Sequence, residues 1–158
     1  MMPHCVLEIS PGIGAGPVHL GMNPQTVIQR LTEIGLLQTG SRGAELIYFA
    51  DNALQVEFID GRASFIGLAS SKLFQVRLYG IDPFDTAAPD VFQLIAKHEP
   101  EPHRYARAGC VFPTTILTLY EADKQYDRLK GKRVTWGQIG LGDQRYLEVI
   151  NSLRGDHA

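Results

Sequence analysis

Leu54-Gln55-Val56-Glu57-Phe58-Ile59-Asp60-Gly61-Arg62 is the stretch that decides the fold class. Leu54, Val56 and Phe58 alternate with Gln55 and Glu57, the two-residue period of a strand with one dry and one wet face. Asp60-Gly61 is the dipeptide that a two-residue hairpin turn prefers, because both central residues need positive φ. Working outward, Glu45 to Ala50 reads as the strand before it, joined through the weaker turn signal Asp51-Asn52. Arg62 to Ser70 and Leu73 to Tyr79 read as the strands after it, with Phe74, Val76 and Leu78 alternating against Gln75 and Arg77. Four successive antiparallel strands with one apolar face are expected.

Upstream, Asn23-Pro24-Gln25-Thr26-Val27-Ile28-Gln29-Arg30-Leu31-Thr32-Glu33-Ile34-Gly35 predicts a helix. Asn23 can cap it, Pro24 suits the first helical position and Gly35 can end it, while Val27, Ile28, Leu31 and Ile34 form one apolar stripe. That helix is the natural cover for the apolar sheet face. Pro83-Phe84-Asp85-Thr86 opens a second helix, with Asp85 or Thr86 as cap and Val91, Phe92, Ile95 and Ala96 on its inner side. Strands are expected again over Thr114 to Tyr120, Arg133 to Leu141 and Tyr146 to Ile150. The fold class is α+β, a mainly antiparallel sheet covered by helices, in one domain of two tandem helix-then-strands units at about 1–80 and 81–158.

The chain has 158 residues, 44% of them hydrophobic, and 15 basic against 17 acidic residues. Such a length buries about two thirds of the surface an unfolded chain exposes, so an apolar core suffices without metal or disulfide. Up to Gly80 there are 5 basic and 6 acidic residues, and beyond it 10 and 11, so neither part is a basic arm suited to nucleic acid. Cys5 and Cys110 read as two buried thiols in a reduced compartment. Met1-Met2-Pro3-His4-Cys5 carries no Lys or Arg and precedes no long apolar run, from which no membrane association and a cytoplasmic location are expected.

Pro11-Gly12-Ile13-Gly14-Ala15-Gly16-Pro17 could turn the amides of Gly12, Gly14 and Gly16 toward an anion. A phosphate loop needs a helix starting directly after the glycines, usually at Lys-Ser/Thr, whereas Pro17 to Met22 intervene here without a Lys; a tight structural lead-in is preferred. His98-Glu99-Pro100-Glu101-Pro102-His103 has metal-ligand residue types, but zinc ligands must converge to about 2.0–2.2 Å and two prolines extend this segment. It reads as a solvated helix exit, and no metal or cofactor is expected. Cys110, after Gly109 and before Val111-Phe112, reads as a small core thiol. Ser10, Ser70 and Ser71 lie in no Gly-x-Ser-x-Gly context, and no acid/base pair follows from spacing, so an enzyme is not expected.

Glu121 to Arg133 is a dense run of mixed charge around Tyr126. Its simplest reading is a solvated loop; its functional reading is a partner-binding rim in which Asp123, Asp127 and Arg128 steer, and Tyr126 and Trp136 anchor. Trp136 divides between core and anchor, with core preferred. The glycines around it break strict alternation and predict a bulge.

Gly12 to Val27, with its glycine-rich lead, Leu20-Gly21-Met22 and following helix, resembles the opening of a group of small uncharacterised bacterial α+β proteins. Thr115 to Tyr120, Gln138 to Gly142 and Tyr146 resemble the strand ends of the same group, whose motifs carry no known catalytic residues. The Leu-Gly-Met-x-x-x-x-Val element is also similar to the helix opening of beta-lactamase-inhibitor-like and outer-membrane assembly lipoprotein modules, which bind other proteins. The chain lacks their lipoprotein signal and disulfide framework, so an envelope location does not carry over, and what the likeness implies is a scaffold used for binding.

The expected function is a non-enzymatic cytoplasmic protein-binding domain, in its specific form an immunity-type protein that neutralises a toxin, using the sheet face or the Glu121 to Arg133 rim. The alternative is a small-ligand or anion-binding protein, or an unrecognised enzyme, with a pocket between the first helix and the Gly12 to Gly16 loop near Glu8 or His19. A homodimer through an exposed strand edge is compatible with either.

Overall fold

The computed structural model describes residues 5–102, 109–121, 125–126 and 134–153. Strands β1 (Cys5–Ser10), β2 (Gly14–Ala15) and β3 (Val18–His19) precede helix α1 (Pro24–Glu33). Then come β4 (Gln38–Arg42), β5 (Leu46–Phe49), β6 (Leu54–Ile59), β7 (Arg62–Leu68) and β8 (Phe74–Arg77). Helix α2 (Ala88–Ala96) is followed by β9 (Gly109–Phe112), β10 (Leu117–Tyr120), β11 (Gln125–Tyr126), β12 (Val134–Thr135), β13 (Gln138–Gly142) and helix α3 (Gln144–Leu153). The architecture is α+β with mostly antiparallel sheets: seven strands in the order β4-β5-β6-β7-β13-β10-β9, four in the order β3-β2-β1-β8, and a β11-β12 ladder.

The β5-β6-β7 meander follows from its turn chemistry. Asp60 and Gly61 both take positive φ, 51° and 75°, and β6 buries Leu54, Val56 and Phe58 while Gln55, Glu57 and Ile59 stay half-buried. The fourth expected strand does not continue the meander. β8 leaves the large sheet and pairs in parallel with β1, Cys5 opposite Phe74 and Glu8 opposite Arg77, because β13 occupies the place beside β7, with Ile139 opposite Leu68. Through that pairing the strands of residues 1–80 and 81–158 share one sheet.

α1 has the expected signals. The Asn23 side chain accepts from the Thr26 amide at 2.8 Å, and Gly35 at φ 84° lets the Leu36 amide return to the Leu31 carbonyl at 2.9 Å. α2 differs from expectation at its start. Its cap position is Ala87, without a side-chain bond; Thr86 instead donates to the Asp82 carbonyl at 2.8 Å, and the Asp82 carboxylate accepts from the Phe84 amide at 2.9 Å, so these residues build the turn before the helix. The strand expected over Tyr146 to Ile150 is α3. Asp143 accepts from the Tyr146 amide at 3.0 Å, and Leu147 and Ile150, three apart, are the buried pair.

One core joins the inner face of the large sheet to β1, β8, α1 and α2, with Leu7, Val27, Leu31, Phe49, Val56, Ile66, Val76, Val91, Ile95, Phe112, Leu119 and Ile139 among its members. Trp136 belongs to it, 0% exposed, its indole N–H donating to the Ala88 carbonyl at 2.9 Å and so fixing α2 to the chain entering β13. Cys110 is buried and Cys5 half-buried. The large sheet ends at β4, where the register with β5 shifts between Gln38 and Gly40. No helix among the described residues is long and apolar enough to cross a membrane.

Candidate functional site

The expected rim is largely beyond view: Asp123, Asp127 and Arg128 lie outside the described residues. Tyr126 is placed by its backbone, opposite Val134 in the β11-β12 ladder. Trp136, fully enclosed by the core, offers a partner no surface and is corrected from the set of anchors.

The glycine loop is packed at Gly14 and Gly16, whereas a Cβ on Gly12 would meet open space. Gly14 lies in the middle strand of a three-stranded ladder, opposite Ser10 on one side and His19 on the other, and a Cβ there would collide with the Val18 carbonyl. The Gly16 amide donates to the Glu8 carbonyl at 3.0 Å, and a Cβ on Gly16 would come within 2.6 Å of Leu7 Cδ2. Gly12, φ 77°, turns the chain. Gly14 and Gly16 thus serve close approach and Gly12 the turn, and the first turn of α1 is already capped by Asn23.

The outer face of the large sheet is different. Cross-strand register aligns Gly40, Tyr48, Gln55, Gly67, Gly140, Thr118 and Val111 in one row over seven strands. The next row runs Arg42, Leu46, Glu57, Phe65, Gly142. The glycines leave a trough into which rings lie: a Cβ on Gly140 would strike the Phe65 ring, and one on Gly142 would come within 2.7 Å of Tyr146 Cδ2. Phe65 and Tyr146 stack, centroids 4.2 Å apart and planes 19° from parallel. Tyr146 thereby seats α3 on this face over β7 and β13. Beside Phe65 the Thr118 hydroxyl is buried and finds no hydrogen-bond partner among the described residues.

Between α3 and the β4–β6 side of the sheet lies a cavity of about 290 Å³, lined by Arg42, Glu45, Leu46, Glu57, Phe58, Ile59, Tyr146 and Val149. A second hollow of about 390 Å³ adjoins it through Ile59 and Val149 and extends along α3 to Arg145, Glu148, Ser152 and Leu153. Arg145 is already engaged, with its guanidinium 3.0 Å from the Asp60 carboxylate and 3.2 Å from the Ile59 carbonyl. Glu57 accepts from Gln55 Nε2 at 3.2 Å; burial raises its carboxyl above the ordinary value, against that hydrogen bond. Burial, with Tyr120 and Glu57 nearby, keeps the Tyr146 phenol protonated far above the ordinary tyrosine range. The hollow therefore offers a half-desolvated acid, a neutral phenol and an aliphatic wall.

In the His98 to His103 segment, expected as a solvated helix exit, His98, Pro100, Glu101 and Pro102 are exposed and Glu99 alone among its described residues is not. Glu99 is 6% exposed and accepts from the amides of Thr114 at 3.0 Å, Thr115 at 3.0 Å and Glu101 at 3.1 Å, and from the Thr115 hydroxyl at 3.0 Å. Burial pushes its carboxyl up, but these hydrogen bonds outweigh it and hold the group below its usual value. His98 stacks on Tyr79 at 3.8 Å, and His103 lies outside the described residues. No group of three or more His, Cys, Asp or Glu able to hold a metal occurs among the described residues.

Glu57 was legible in the sequence as a wet-face residue; the cavity beside it was not, since its other wall is α3. Comparison of the chain with protein-family models, with curated proteins and with solved structures finds no match.

Proposed function

We propose that the chain is a non-enzymatic protein-binding domain, with an immunity-type, toxin-neutralising protein as its specific form, and that it meets its partner with the outer sheet face beside α3. The carrying observation is the two in-register rows on that face, which set half-buried Tyr48, Gln55 and Glu57 beside the hollow along α3. Tyrosine rings and amide side chains on a rigid sheet give contact area at little entropic cost, and the exposed Val149 and Leu153 (44% and 82%) add an apolar margin.

The test is affinity capture with the tagged protein, the face variant Tyr48→Ala/Val149→Asp, and the control Val6→Ser on β1. A stoichiometric protein held by wild type and control and lost from the face variant supports the reading. Toxicity of that partner, relieved by co-expression of this chain, supports the specific form. Equal capture by the face variant overturns the surface, and a co-purifying small molecule without a protein overturns the function.

A further inference from the structure

We propose that the hollow between α3 and β4–β6 receives an aliphatic cation, an arginine or lysine side chain of the protein partner, with its charged head on Glu57 and its methylenes along Leu46, Ile59 and Val149. The inference rests on the protein-binding reading and names the chemistry of its partner.

Charge comes first. The two adjoining hollows are lined by Glu45, Glu57 and Glu148 against Arg42 and Arg145, and Arg145 is held by Asp60, so the lining is left acidic. An anionic ligand would meet like charge. Desolvation decides next: Glu57 is half-buried, with Gln55 as its hydrogen-bond partner and no salt bridge among the described residues. A purely apolar occupant would take the remaining water from that carboxylate and leave it uncompensated, whereas a cation converts the same desolvation into a stronger attraction. Size and shape then select the stem. A volume of about 290 Å³ lies at the lower edge of small-molecule sites, enough for one extended side chain, and Leu46, Phe58, Ile59 and Val149 supply the walls that methylenes need.

The probes are Nα-acetyl-arginine N-methylamide, its lysine counterpart and the neutral norleucine counterpart, each titrated into the full chain and followed through the backbone amide NMR signals of Glu57, Ile59, Tyr146 and Val149. Saturable shifts at these amides are expected, with the cationic probes at least about tenfold tighter than norleucine and Glu57→Gln weakening them by about tenfold, the worth of one charge-assisted hydrogen bond. Glu148→Gln, at the far end of the groove, serves as a second variant, and thermal melts establish that both fold.

No shift at these amides, or norleucine binding as tightly as arginine, overturns the inference. The two proposals separate in capture: a protein retained equally by wild type and Glu57→Gln leaves the binding domain standing and removes the cation site. Glu57-dependent binding of the arginine amide in a chain that captures no protein overturns the partner form of both.

Discussion

Two carboxylates carry opposite signs of pH dependence. Glu99, held below the usual 4.5 by amides and a hydroxyl, contributes stability that is complete above 4.5 and is lost as pH falls through its lowered value. Glu57, raised by burial, contributes stability that is complete below 4.5 and is lost as pH rises through its raised value. Glu99→Gln is expected to lose about 2 kcal/mol in urea unfolding at pH 7, because several donors are left facing a neutral amide. Glu57→Gln is expected to gain a few tenths of a kcal/mol at pH 7 and nothing near pH 4, a small effect because water still screens the group; a gain at pH 4 and none at pH 7 would refute it. Alternation put Glu57 on the wet face correctly. The sequence around Glu99 suggests a solvated group, because its donors at Thr114 and Thr115 lie fifteen and sixteen residues downstream in a turn that spacing does not reveal.

Among elements, the glycine-bearing strand β13 is the most exacting. Gly140→Ala is expected to cost about 1–3 kcal/mol, since the added methyl would strike the Phe65 ring and come within 2.7 Å of the Thr118 hydroxyl in a packed layer. Phe65→Leu in the same chain should recover part of the loss, and a double-mutant cycle by chemical denaturation measures the coupling. Strands with a turn signature, such as β6 and β7 about Asp60-Gly61, could be read from sequence. α3 could not, because Tyr146, Leu147 and Ile150 suit a short strand as well as a helix; the cap at Asp143 decides between them. Alternation locates β8 but not its neighbour, since it fixes which face is dry and says nothing about which strand lies alongside.

At the scale of the molecule, the β7–β13 pairing and the common core tie residues 1–80 to residues 81–158, although helix-then-strands order recurs along the chain. A fragment of residues 1–80 is accordingly expected to show no cooperative thermal transition by circular dichroism, since Ile66 and Leu68 lose the strand that lies beside them. A sharp transition would show two separable halves. The α+β class and the antiparallel bias were within reach of the sequence because they rest on local period and turn chemistry. The outer-face groove depends on where α3 returns after some eighty residues, and local pattern holds no record of that.

The register shift between Gln38 and Gly40 also bears on how the molecule behaves in company. An unpaired border strand invites lateral growth, each copy extending the hydrogen-bond ladder of the last. At β4 the regular spacing is broken and Arg42 brings charge to the same border, so another strand would find matching donors and acceptors over only a short run. The sheet thus ends in a frayed hem instead of a clean seam, and crowding alone is a poor means of stitching copies together there.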